Sequence, residues 1–137
     1  MSFWTEYVIA DVSEAEAVAA HSEPRTRWPG FEGFKMFGPP HMAALDRALG
    51  NSSAVEVDQL VFGEEACVFE LPPAQVLALA KLQASDLASV AAAWSASLGD
   101  VGERYDAEGL CALVANLREL AERADGRSVL MWQCMVG

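Results

Sequence analysis

The segment from Ser128 to Val136 reads SVLMWQCMV and is apolar at nearly every position. Successive side chains of a strand point to opposite faces, so such a run is at ease only where both faces are covered. At a sheet edge it would offer other chains a sticky template. The segment is therefore expected as an interior strand, and the rest of the fold must supply its neighbours. The chain has 137 residues, about one domain's length, and can bury roughly two thirds of its unfolded surface around a single core.

Phe3 to Ala10 (FWTEYVIA) is rich in aromatic and β-branched residues and is expected as a strand. Ser13 and Glu16 stand at the spacing of a capping box, opening a short helix from Glu14 to His21 that stops before Pro24. Residues 22 to 39 hold Pro24, Pro29, Gly30, Gly33, Gly38 and Pro39, too many breakers for a regular helix or a central strand, and are expected as a long loop. Pro40 suits the first position of a helix running through Met42, Leu45 and Leu49, with Gly50 to end it. Val55 to Phe62 and Ala66 to Leu71 form a hairpin across Gly63, Glu64 and Glu65.

Pro72 and Pro73 open a further helix carrying Val76, Leu77 and Ala80. Ser85 offers a cap for the next, in which Leu87, Val90, Ala91, Trp94 and Leu98 fall at helical spacing before Gly99. From Asp106 to Ala124 the apolar positions Leu110, Leu113, Val114, Leu117, Leu120 and Ala121 make the cleanest amphipathic helix, followed by an Asp125-Gly126 turn. The order β-α-loop-α-β-β-α-α-α-β, without internal repeats, predicts a single α+β domain spanning residues 1 to 137, its helices packed against one mixed or antiparallel sheet.

Twenty acidic residues against nine basic ones give a net charge of -11, a field that repels nucleic acid and acidic membrane surfaces. Neither is expected as a partner. Cys67, Cys111 and Cys134 are odd in number and widely spaced, which fits neither a disulfide framework nor a metal or redox pair, and core thiols in a reducing compartment are the simplest reading. The beginning Met-Ser-Phe-Trp-Thr-Glu has neither the basic residues nor the apolar run of a signal peptide, so a cytoplasmic location is expected.

Catalytic signatures are sparse. His21 and His41 lack companions at zinc-site spacing, and there is no nucleophile elbow or phosphate-cradling glycine loop, so no metal, cofactor or catalytic residue is assigned. His41, in the first turn of a helix, is a conceivable general base, or simply a partly exposed surface histidine. The segment from Arg25 to Phe37 holds three of the nine basic residues interleaved with rings. Arg25, Arg27 and Trp28, with His41, could line a pocket for an anionic or planar ligand. Alternatively Trp28, Phe31, Phe34 and Phe37 pin the loop to the core while the arginines pair with Glu23 or Glu32.

Between Arg47 and Lys81 there is no basic residue, while Glu56, Asp58, Glu64, Glu65 and Glu70 are present. Glu56 and Asp58 share a strand face, and Glu64 and Glu65 lie in the turn. Such a surface could steer a basic protein partner, or keep an exposed strand from aggregating.

The run Glu70-Leu71-Pro72-Pro73-Ala74-Gln75-Val76, the Tyr105-Asp106 pair before a long helix, and the ending from Leu117 through Asp125-Gly126 to Leu130 resemble the YfbM-like family of small uncharacterised bacterial proteins. The resemblance implies an α+β fold and a bacterial source, and transfers no activity or catalytic residue. Size and charge point to a non-enzymatic domain that binds another protein, such as an acidic immunity-type neutraliser of a basic toxin or enzyme. The competing expectation is a small enzyme or ligand-binding domain using the Arg25 to Phe37 loop and His41.

Overall fold

The computed structural model describes residues 2–51, 57–100, 102 and 104–136, with only the backbone of Ser2 and Val136. Strands β1 (Ser2–Ile9), β2 (Gly30–Glu32), β3 (Asp58–Phe62), β4 (Ala66–Glu70) and β5 (Val129–Val136) form one sheet in the order β2-β1-β5-β4-β3. Every neighbouring pair is antiparallel. The five helices are α1 (Ala15–Ala20), α2 (Pro39–Ala48), α3 (Pro73–Ala80), α4 (Leu87–Asp100) and α5 (Ala107–Ala124). The chain is a single-sheet α+β fold, as its element order predicts.

β5 lies between β1 and β4, in the middle of the sheet. Val129, Leu130, Met131 and Trp132 are buried, so both faces of the strand's first half are covered. Its second half emerges: Gln133 and Cys134 are half-buried and Met135 is exposed. Alternation along β1 and β5 splits the core in two. Tyr7, Ile9, Val129 and Met131 face a large cluster with Phe37, Met42, Trp94 and the apolar stripe of α5. Val8, Leu130 and Trp132 face a smaller cluster formed with Val18 of α1, Trp28 and Val68.

Four local expectations are corrected. The capping contact at α1 is made two residues earlier than Ser13 and Glu16: the Asp11 amide donates to Glu14 Oε1 at 3.2 Å, over a 3-10 turn at Val12–Glu14. Ser85 lies inside another such turn, Ala84–Asp86, which is capped by Gln83 and Asp86: Asp86 Oδ2 accepts the Gln83 amide at 2.9 Å. Gly99 does not end α4, which runs on to Asp100; the left-handed glycine there is Gly102, at φ 84°. Finally, the three cysteines are half-buried free thiols at the margin of the core, Cys67 and Cys111 packed against the larger cluster and Cys134 against the smaller.

The long loop contains strand β2. A side chain at Gly30 would collide with the Tyr7 carbonyl oxygen, so this close pairing to β1 is open to glycine alone. The residue that reads as a breaker is what allows the edge strand. Val55 and Glu56 lie outside the described residues, and the hairpin runs from Asp58. Among the described residues no single helix is long and apolar enough to cross a membrane.

Candidate functional site

On the face of the sheet carrying the smaller cluster, strand alternation aligns Trp4 and Glu6 of β1 with Trp132 and Cys134 of β5. Glu6 stands opposite Trp132, and Trp4 opposite Cys134. On its other side Glu6 faces Glu32 of β2. The loop after α1 crosses above them in a 3-10 turn at Pro24–Thr26, held by the buried ring of Pro24 and by the Thr26 hydroxyl donating to the Glu23 carbonyl at 2.7 Å. Between turn and sheet lies a cleft of about 590 Å³, lined by these two tryptophans and Cys134 and by four charges: Glu6, Glu23, Glu32 and Arg25.

Arg25 organises those charges. Its Nε lies 3.2 Å from Glu6 Oε1, and a terminal nitrogen lies 3.8 Å from Glu32 Oε2. The Glu6 side chain is only 12% exposed. Its burial holds the carboxyl above the usual carboxylate range, against the lowering pull of the Arg25 guanidinium, and the nearby Glu32 charge adds to the rise. The Arg25 contact to Oε1 is an ion pair without hydrogen-bond geometry. Beside it the indole N–H of Trp132, a residue 4% exposed, has no hydrogen-bond partner among the described residues. Lys35 Nζ sits 4.2 Å from the centre of the Trp4 ring, a cation on an aromatic face at the cleft's edge. Burial, then Glu65 and Glu6, push the Cys134 thiol upward, away from the thiolate form a nucleophile needs.

The structure does not bring the four loop-site candidates together. Arg25 is in the cleft. Arg27 points elsewhere, its guanidinium carbon 4.6 Å over the Trp28 ring. Trp28 is 6% exposed, packs into the smaller cluster and donates its indole N–H to Glu14 Oε2 at 3.1 Å. That bond, with the Asp11 amide, holds the Glu14 carboxyl below its usual range. The rings do anchor the loop, but to both faces of the sheet: Trp28 on one, and Phe31, Phe34 and Phe37 on the other, where Phe31 stacks on Tyr7 and Phe34 on Tyr105.

His41 lies beneath the opposite face and is buried, not a partly exposed surface residue. Its Nδ1 accepts the Gly38 amide at 2.9 Å, which assigns the ring proton to Nε2, 3.5 Å from the Tyr105 hydroxyl. The ring stacks on Phe37 at 4.4 Å, and its backbone carbonyl accepts the Trp94 indole N–H at 2.9 Å. These contacts make it the cap of α2 and a core residue.

The acidic candidates are also dispersed. Asp58 is paired directly with Glu70 at one end of the hairpin, while Glu64 and Glu65 sit in the turn at the other. Glu65 reaches the electrostatic surroundings of Cys134. Glu56 lies outside the described residues. Sequence reasoning missed Glu6, Glu32, Trp4 and Trp132 as site residues. Alternation within FWTEYVIA puts Trp4, Glu6 and Val8 on one face and was the available signal; the register that sets Glu6 against Trp132 has none. Compared with known proteins, the chain matches no family model, no curated protein and no solved structure.

Proposed function

We propose that this protein is a non-enzymatic binding domain whose acidic surface receives a basic protein, in the manner of an immunity-type neutraliser. The observation that carries this reading is the cleft itself, where Glu6, Glu23 and Glu32 surround one arginine on a chain of net charge -11. Arg25 is seated where a partner's guanidinium or ammonium would sit, and the excess of carboxylates leaves that place negative beyond what Arg25 neutralises. The test is affinity capture from the native host with the wild-type protein and with Glu23→Gln/Glu32→Gln. A basic protein held by the wild type, released by salt and lost by the double variant supports the reading. A captured set unchanged by the substitutions overturns it.

A second reading, a small-ligand site in the same cleft, is favoured by the buried Trp132 N–H, which has no acceptor among the described residues. The ligand would present an oxygen to that N–H and another to Arg25, without His41. Titrating candidate carboxamides and polyols while following tryptophan fluorescence tests it, with Trp132→Phe expected to abolish any response.

A further inference from the structure

A second concavity lies at the other end of β5, where α3 meets the last turns of α5. Leu71, Val76, Ala80 and Ala121 line a groove of about 460 Å³, and Leu77 of α3 stands beside them 55% exposed. Its polar margin is Glu70, Glu122 and Asp125 with the base Arg127, and Glu122 is itself ion-paired with Arg118 at 3.6 Å. Arg127 is already engaged: its Nε and a terminal nitrogen donate to the carbonyls of Ala124 and Arg123 at 3.0 and 3.2 Å, closing the end of α5. Glu70 Oε2 accepts the Ser128 hydroxyl at 3.1 Å. The carbonyl end of α5 adds negative partial charge at the same margin.

An apolar floor inside a charged margin is the anatomy of the anchoring part of a protein interface. The sign of the margin selects the occupant. A second copy of this chain would bring its own excess of acid against the carboxylates of Glu70 and Asp125, and an anionic lipid surface or nucleic acid would be repelled in the same way. We infer that this groove is the apolar anchor site for a basic protein partner, taking one large aliphatic or aromatic side chain flanked by lysine or arginine. The inference rests on the reading of the protein as a receiver of basic partners and adds an apolar anchor to it. Charge steers association, whereas a seated apolar side chain sets how long the complex lasts.

The experiment uses the full chain, isotope-labelled for NMR, and two probe peptides of equal charge, one alternating leucine with lysine and one alternating serine with lysine. The leucine-containing peptide is expected to bind at least about tenfold more tightly, with shifts centred on Leu77, Ala80, Ala121 and Arg127, and Leu77→Ser is expected to remove that preference. Leu77 is exposed, so this variant keeps the fold. Equal binding of both peptides, or an unchanged preference in Leu77→Ser, overturns the groove while leaving the basic-partner reading intact. Shifts confined to Trp4, Glu6 and the Trp132 indole do the same. Binding of neither peptide at low salt overturns the basic-partner reading together with the groove, and Leu77-dependent self-association in sedimentation overturns the choice of occupant.

Discussion

Glu6 stands directly across from Glu32 in the β1–β2 pairing, and the Arg25 guanidinium reaches both carboxylates. Like charges at paired positions of an antiparallel ladder repel. The arginine therefore does two things at once: it relieves the sheet edge and ties the loop above the cleft to the strands below it.

That arrangement predicts a dependence on pH. Burial raises the Glu6 carboxyl above its ordinary value of 4.5. A carboxyl raised in the folded state favours folding where it is protonated, so its contribution is full below 4.5 and is lost as pH rises through the raised folded value. The melting temperature of wild type relative to Glu6→Gln should accordingly fall as pH increases through that window. Arg25→Met should cost about 1 kcal/mol or less at neutral pH, roughly 3 °C, less still in acid, and less in the Glu6→Gln background, where only the longer contact to Glu32 is left to lose. Thermal melts of the three variants from pH 3 to 8 measure this, and a pH-independent cost of Arg25→Met would refute it.

Trp28 and Arg27 stack on one another but should differ sharply in energetic weight. Trp28→Ala empties a buried indole site and should cost about 3 to 5 kcal/mol, while Arg27→Ala should stay within about 1 kcal/mol. Trp28→Phe keeps an aromatic side chain in the site but is smaller and loses the bond to Glu14, so its cost should fall between those of the other two variants. The lowered Glu14 carboxyl gives stability present above its ordinary value and lost as pH falls through its folded one. That acid loss should therefore be smaller in Trp28→Phe. Urea titrations at pH 7 and pH 3.5 check both parts.

His41 is expected to act through its acceptor. His41→Leu leaves the buried Gly38 amide without a partner and should cost about 2 to 4 kcal/mol, whereas His41→Asn, whose side-chain oxygen can occupy the place of Nδ1, should recover part of the loss. Equal destabilisation by both variants, read from denaturant midpoints, would show that ring packing alone matters.

Asp58 faces Glu70 across the hairpin with no basic residue between Arg47 and Lys81 to separate them. Asp58→Lys should stabilise the fold by about 0.5 kcal/mol, or roughly 2 °C. If the acidity serves partner capture, the same variant should slow association at low salt, measured by stopped flow with the captured protein.

What the sequence discloses follows the range of the interaction involved. The stripe Leu110, Leu113, Val114, Leu117, Leu120 and Ala121 reads directly as one face of α5, because its period belongs to the helix itself. Gly99 was misleading because the small residues before it, Ala91 to Ala96 with Trp94, continue a helix well enough for one glycine to be carried inside it. Gly38 and His41 stand at the spacing of a capping pair, a legible signal for a buried ring that was read instead as surface. The cleft was the least legible, since it depends on which residues of β1, β2 and β5 fall opposite one another. Register over such separations is decided by the whole sheet.

The central place of β5 has a temporal consequence. Ile9 pairs with Val129 and Ser2 with Val136, so every rung of the longest ladder closes a loop of roughly 120 residues or more. As the chain leaves the ribosome, β1 and β4 must wait with their inward edges open until the last strand arrives to join them. The helices and the β3–β4 hairpin can form from nearby residues, but the two halves of the sheet remain unjoined. Joining the two halves of the sheet should thus be a slow, concerted step that follows the emergence of β5, and the waiting edges are where a nascent chain would meet a chaperone or another copy of itself.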